Sequence, residues 1–262
     1  MRIALLGYGK MGKAIETIAL ERGHSIVVKI NSQLPLDQVN WSEVDVCIEF
    51  TRPELAPQHI AYCAQKQVPI VVGTTAWQAA LPEVKTMVLE ANAALLYASN
   101  FSVGVNLFFE LNRHLANLMK AHQAYHIEVS ETHHVQKLDA PSGTAVSLLD
   151  DILALNPNYT EWSLEASSRG QIPVVAHRIP DVPGIHQISY ISDIDTLRIE
   201  HIAHNRKGFA LGAVLAAEFI YQRKGIFTMA DVLKTSLWVS FISTYSFLYT
   251  PIWLNGIAYS QN

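Results

Sequence analysis

Residues 128–145 read Glu-Val-Ser-Glu-Thr-His-His-Val-Gln-Lys-Leu-Asp-Ala-Pro-Ser-Gly-Thr-Ala, which sets His133, His134 and Lys137 within five residues. Histidine titrates near neutral pH and can deliver a proton during turnover. A lysine ammonium stabilises a developing negative charge. Pro141-Ser142-Gly143-Thr144 follows directly, a turn able to open a helix with Ser142 and Thr144 as candidate caps. Free N–H groups at such a helix start attract carboxylates, so Lys137, Gly143 N–H and Thr144 together make a carboxylate site. Proton donors beside an anion-binding helix start point to chemistry on a small acidic substrate. The adjacent histidines, in an extended segment, point to opposite sides, and no Cys or HExxH pattern accompanies them, so no metal is expected. His177, His186, His201 and His204 read as ordinary surface or strand histidines.

The elements that position this segment follow from apolar periodicity. Residues 125–131 alternate as a strand, with Tyr125, Ile127 and Val129 on one side and His126, Glu128 and Ser130 on the other. A helix is predicted over 145–155 and a long one over 103–120 (Leu107, Phe108, Leu111, Leu115 and Leu118). From 172 to 202 the chain is strand-like, with strands at 174–176, 187–191 and 195–202 and a turn at Pro183-Gly184. These predict a second, mainly antiparallel sheet backed by two helices. Helix returns over 206–225.

Upstream, a short buried strand at 2–6 runs into Gly7-Tyr8-Gly9-Lys10-Met11-Gly12, then a helix over 13–22 and a strand over 24–30. In this strand–GxGxxG–helix–strand unit, Gly7 permits the turn, Gly9 admits a pyrophosphate and Gly12 lets helix and strand pack closely. The carboxylate that would hold the ribose 2′-OH of NAD is missing, since the second strand ends Lys29-Ile30-Asn31-Ser32. Asn31 can hydrogen-bond either cofactor, and Lys29 tilts the balance slightly to NADPH if it points inward. Further strands at 45–50, 68–72 and 94–98 alternate with helices at 57–66 and 81–92. The fold class is therefore α/β, a parallel doubly wound Rossmann-type sheet followed by an α+β unit. Thr51, Gly73, Thr74, Thr75, Asn100 and Phe101 fall at carboxyl ends of strands, where such sheets bind ligands.

A chain of 262 residues, half of them hydrophobic, can bury one large core or two modest ones. A net charge of −4 and a pI near 6.2 argue against nucleic acid as a partner. Cys47 and Cys63 have neither metal-site spacing nor the density of a disulfide scaffold, which suits a reducing cytoplasm. No signal peptide, repeat or low-complexity tract stands out, and residues 1–234 hold no long apolar span.

At residues 128–145 the chain resembles the bacterial 4-hydroxy-tetrahydrodipicolinate (dihydrodipicolinate) reductase family, whose signature is Glu, Ile or Val, any, Glu, any, His, any three, Lys, any, Asp, any, Pro-Ser-Gly-Thr-Ala. Every fixed position is present. Residues 7–12, 73–75, 99–106 and 206–210 are also similar, so the resemblance spans roughly 1–234. It implies His133 as proton donor and Lys137 as second acid group or charge stabiliser, with His134, Gly143 and Thr144 on the substrate's carboxylates. It implies Gly7 to Gly12, Gly73, Thr74, Thr75, Ala98, Ser99, Asn100 and Phe101 around NADH or NADPH, joined at the ribose by Asn31. The substrate would be a cyclic imine dicarboxylate and the assembly a homotetramer built on the second sheet. Residues 1–102 with 206–234 would bind the cofactor, and 103–205 would bind substrate and mediate assembly. Three departures stand out: Asn31 in place of an acid, Ala76 where glycine is common, and the segment 235–262. That segment has no charged side chain and is interrupted by Ser, Thr, Asn and Pro251, so it is not expected to span a membrane; an accidental extension is the first reading, with an oligomer contact and surface association with a membrane as the alternatives. The rivals are another two-domain nicotinamide oxidoreductase, which would not require the full signature, and a non-catalytic nucleotide sensor, which would not need His133 and Lys137.

Overall fold

The computed structural model describes residues 1–30, 35–165, 168, 170–205 and 207–234. Asn31, Arg206 and the segment 235–262 lie outside the described residues. The amino-terminal part runs β1 (Arg2–Leu6), α1 (Lys10–Glu21), β2 (Ser25–Ile30), β3 (Val46–Glu49), α2 (Ala56–Gln65), β4 (Ile70–Val72), α3 (Leu81–Glu90) and β5 (Ala94–Tyr97). Then come α4 (Val103–Met119), β6 (His126–His133), α5 (Gly143–Leu155), β7 (Glu161–Ser163), β8 (Gln171–Arg178), β9 (Gly184–Ile191), β10 (Thr196–Ala203), α6 (Lys207–Ile220) and β11 (Gly225–Phe227).

The first sheet has the order β11-β5-β4-β3-β1-β2, with every pairing parallel. Apart from Arg2 and the buried Glu49 at strand ends, its central strands are apolar because helices cover both faces. On one face Ile3, Leu5 and Ile48 pack with Ile15 of α1 and Ala213 and Val214 of α6. On the other, Ala4, Cys47 and Val72 pack with Ile60 of α2 and Val84 of α3. The strand order reverses beside β1, which opens a crevice at the carboxyl ends of β1 and β3.

The second sheet has the order β10-β9-β6-β8-β7. The β10–β9 and β9–β6 pairings are antiparallel, as the pattern predicted. On the other side of β6 the pairings with β8, and of β8 with β7, are parallel. The route from β6 to β8 passes through α5, and a helical crossover returns the chain in the same direction. The 183–184 turn therefore joins two strands that do not pair, because β6 lies between them. Ile127, Val129, Val174, Ile188 and Tyr190 face α4 and α5 and bury Phe108, Leu115, Leu148 and Ile152. No helix packs on the opposite face among the described residues.

Several bounds differ from expectation. α1 begins at Lys10, not 13, because Gly12 sits inside the first turn. β6 continues to His133, so the first histidine belongs to the strand. α6 ends at Ile220, and Gly225, at φ 115°, opens the edge strand β11 beside β5 where helix was predicted.

Candidate active site

The cofactor side grows from the turn after β1. Gly7 has φ 94°, and a Cβ there would lie 2.1 Å from the Phe50 carbonyl oxygen. A Cβ on Gly12 would come within 2.4 Å of the Gly7 oxygen, so glycine lets α1 approach β1. Nothing lies within 4 Å of a Cβ on Gly9, the N-cap of α1. The first-turn N–H groups at Lys10, Met11 and Gly12 have no preceding turn to bond and carry the positive end of the helix dipole. This open, cationic-ended cradle fits a pyrophosphate.

The tips of β3, β4 and β5 complete the crevice. Thr51 N–H donates to Thr74 Oγ1 at 2.8 Å, and Trp77 Nε1 donates to the Thr74 carbonyl at 2.7 Å. Ala76, the departure from glycine, holds a left-handed φ of 63° in this loop. Met11, Gly73, Ser99, Asn100 and Phe101 line a cavity of about 220 Å³, together with Phe50 and Phe209. Thr74, Thr75, Ala98, Ser99 and Asn100 line a neighbouring one of about 320 Å³. The Phe101 ring is itself buried against Phe50, with centroids 5.7 Å apart. Tyr8 hydroxyl donates to Glu16, which also pairs with Lys29 at 2.6 Å. Lys29 thus points at α1, its charge already matched.

The segment expected to meet substrate is held between β6 and α5. Ser142 caps α5, its Oγ accepting from Ala145 N–H at 3.2 Å, while Thr144 is already inside the helix. Gly143 is exposed, with nothing within 4 Å of a Cβ, which leaves the helix start open. Asn100 Nδ2 donates to Thr144 Oγ1 at 3.2 Å, joining the segment after β5 to the first turn of α5. Lys137 Nζ lies 2.9 Å from both oxygens of Asp139. His134 carries a buried Nδ1 without a partner, and its carbonyl accepts from Lys137 N–H at 3.1 Å.

The continued alternation of β6 turns Ile127, Val129, Glu131 and His133 to the buried side. His186, expected to be ordinary, is buried too, and its ring centroid is 5.0 Å from that of His133. His186 Nε2 lies 3.1 Å from Ser142 Oγ. Glu131 accepts from Ser142 N–H at 2.9 Å and meets Arg178 Nη2 at 3.3 Å. Arg178 also donates to the carbonyls of Lys137 and Asp139 and so stitches the 134–141 loop to β8. Burial pushes His133 down, Glu131 opposes it, and Lys137 and Arg178 add to the fall. Burial takes His186 down to about 3, so it is neutral at working pH. A carboxylate oxygen of Glu131 and one ring nitrogen each of His133 and His186 lie within 4.8 Å of one another. The histidine near His133 is therefore His186 and not His134, and the cations Arg178 and Lys137 supply the charge beside this cluster. From the sequence Glu131 has no role beyond a fixed position of the signature, His186 reads as an ordinary histidine, and Arg178 does not stand out. The legible signal was a charged residue at the buried parity of a strand.

Family models described as dihydrodipicolinate reductase, N-terminus, and dihydrodipicolinate reductase, C-terminus, match residues 1–101 and 104–233. A 4-hydroxy-tetrahydrodipicolinate reductase of Christiangramia forsetii is 45% identical over 234 residues, covering 89% of this chain and 98% of that protein. One from Alkaliphilus oremlandii is 33% identical, covering 86% of this chain and 95% of its own. Among solved structures, a dipicolinate-bound dihydrodipicolinate reductase from Paenisporosarcina sp. TG-14 superposes with a TM-score of 0.72 at 23% identity, over 87% of this chain and 97% of that one. An amine dehydrogenase from Mycobacterium smegmatis shares the fold at a TM-score of 0.57 and 12% identity, over 87% and 95%. With both halves of the chain matched and a dinucleotide cradle joined to a His-Lys-Pro-Ser-Gly-Thr loop, this protein belongs to the dihydrodipicolinate reductase family.

Proposed function

We infer that the chain is a 4-hydroxy-tetrahydrodipicolinate reductase of the diaminopimelate route to lysine. With NADH or NADPH and one proton, the substrate gives tetrahydrodipicolinate, oxidised cofactor and water. The observation that carries this reading is the Asn100–Thr144 hydrogen bond, which ties the segment after β5 to the first turn of α5, beside the segment that runs from His133 at the end of β6 through Lys137. A bound nicotinamide would supply the hydride. Gly7, Tyr8, Gly9, Lys10, Met11 and Gly12 would hold its pyrophosphate, with Asn31 at the ribose. Gly73, Thr74, Thr75, Ala98, Ser99, Asn100 and Phe101 would position the rest.

The chain's own groups do the remainder. Gly143 and Thr144 N–H groups take one substrate carboxylate, and His134 and Lys137 face the other. Lys137 leaves Asp139 to do so. Once the 4-hydroxyl has left as water with a hydrogen from the adjacent carbon, His133 delivers its proton from Nε2, the ring nitrogen other than the one beside Glu131, back to that adjacent carbon as its neighbour is reduced. The dipicolinate bound to the Paenisporosarcina relative, a cyclic dicarboxylate, supports a substrate of this shape.

We take 1–102 with 206–234 as the cofactor unit, 103–205 as the substrate unit and the cytoplasm as the place of action. The unpacked face of the second sheet is where a homotetramer would form.

The test supplies the condensation product of aspartate semialdehyde and pyruvate and follows nicotinamide absorbance with each cofactor. Oxidation is expected with at least one. His133→Gln should cut turnover about a hundredfold or more while sparing cofactor binding. Silence with both cofactors, from protein that binds them, would reject the reading.

A further inference from the structure

We propose that Glu131 is the positioning residue of this site: its buried carboxylate ties the proton donor, the start of α5 and Arg178 into one arrangement, and supplies the negative charge against which His133 carries its proton. The inference rests on the reading of His133 as proton donor.

Glu131 is 0% exposed and two residues before His133, so the strand pleat puts both side chains on one side. Its Oε2 accepts from Ser142 N–H at 2.9 Å, and lies 3.6 Å from His133 Nδ1 and 3.8 Å from His186 Nε2. Its Oε1 meets Arg178 Nη2 at 3.3 Å. His133 Nδ1 is buried and has no hydrogen-bond partner. At 3.6 Å the two groups are too far apart for a hydrogen bond, a distance that catalytic pairs close in the bound complex.

The other groups facing His133 cannot take this part. Lys137 and Arg178 are cations and oppose protonation of the ring. Asp139 favours it, but its exposed carboxylate is held by Lys137. His186, packed edge-on from β9, is neutral, and His134 is the next residue along. Glu131 alone among these places a carboxylate in the buried space beside Nδ1. Arg178 keeps that carboxylate from being a lone buried charge.

The sign follows directly. A carboxylate beside the ring favours the imidazolium, so its removal lowers the pH at which the donor loses its proton as pH rises. Glu131→Gln keeps the shape and an oxygen for Ser142 N–H. The pH profile of kcat/KM is measured for the unsubstituted protein, E131Q and H133Q, with NADH affinity by fluorescence. The alkaline limb of E131Q should move down by about one pH unit, a loss of about tenfold above the limb, at unchanged NADH affinity. A limb left in place, with any uniform loss, would overturn the proposal, because a merely structural role lowers activity without moving the limb. H133Q separates the two readings. If it retains the wild-type limb, His133 is not the donor and the underlying reading fails. If it abolishes the limb while that of E131Q stays put, only the present inference fails. Should E131Q not fold, E131D, which keeps the charge but draws it back from the ring, takes its place in the same profile. An alkaline limb moved down supports the role of Glu131, and a limb left in place overturns that role.

Discussion

At the scale of single residues, Lys29 is the charge whose placement bears on the expected choice between NADH and NADPH. In the sequence its charge beside the end of β2 leans slightly to NADPH or dual use, on the condition that it points inward. In the folded chain its ammonium is bonded to Glu16 and lies over the Tyr8 ring, 4.9 Å from the centroid. The Glu16 carboxyl is held below its usual range by Lys29 first and Tyr8 second. A 2′-phosphate would have to compete with that carboxylate for the same ammonium. Glu16→Gln should therefore raise the affinity for NADPH over NADH by about two- to fivefold, the scale of a part-exposed charge contact. Fluorescence titration with each cofactor reads the ratio, and an unchanged ratio would mean that Lys29 does not reach the cofactor. Glutamate at 16 was visible in the sequence as one acid on a helix. Its pairing with Lys29 depends on how α1 lies on β2.

At the scale of elements, α1 and α6 are clamped by one carboxylate. Arg22 donates twice to Glu218, both at 2.8 Å, and His24 Nε2 lies 2.8 Å from the same group. Burial works to raise the Glu218 carboxyl, and the bonds from Arg22 and His24 outweigh it, leaving the group below its ordinary 4.5. A carboxyl depressed in the folded state stabilises above its unfolded value and loses that contribution as pH falls through the folded value. The clamp is thus fully present above about pH 4.5 and fades below it. Glu218→Gln should cost about 1 kcal/mol at pH 7 and flatten the acid side of the stability profile. Urea unfolding at pH 7 and pH 3.5 checks this, and an equal loss at both would show that Glu218 acts through shape and not charge. Helix and strand identities here were legible from apolar periodicity. The start of α1 was not, because Gly12 suggests a turn until its packing against Gly7 is seen.

At the scale of the whole molecule, the second sheet buries one face and, among the described residues, leaves the other without a helix. Val175 and Ile202 on that face are about half exposed, at 48% and 47%. They pair across the sheet with Ser130 and Ile185, also at the outward parity. An apolar-and-polar sheet face of this extent suits contact with further copies of the chain. Val175→Lys should shift the assembly to smaller species in light scattering while leaving cofactor binding unchanged. A tetramer that survives the charge would move the interface elsewhere.

The local code was enough for much of this protein. The strand–glycine–helix unit, the run of parallel strands, the Ser142 cap and the signature through His133 and Lys137 are each written in a few neighbouring residues, because turns, caps and periodic faces depend on short-range sterics. The tertiary structure decided what neighbours in sequence cannot. It chose the parallel pairing of β8 with β6, which brings Arg178 to Glu131, and the antiparallel pairing of β9, which brings His186 to His133. Those partners are 47 and 53 residues from Glu131 and His133, and only sheet register, set by burying one face against α4 and α5, makes them meet.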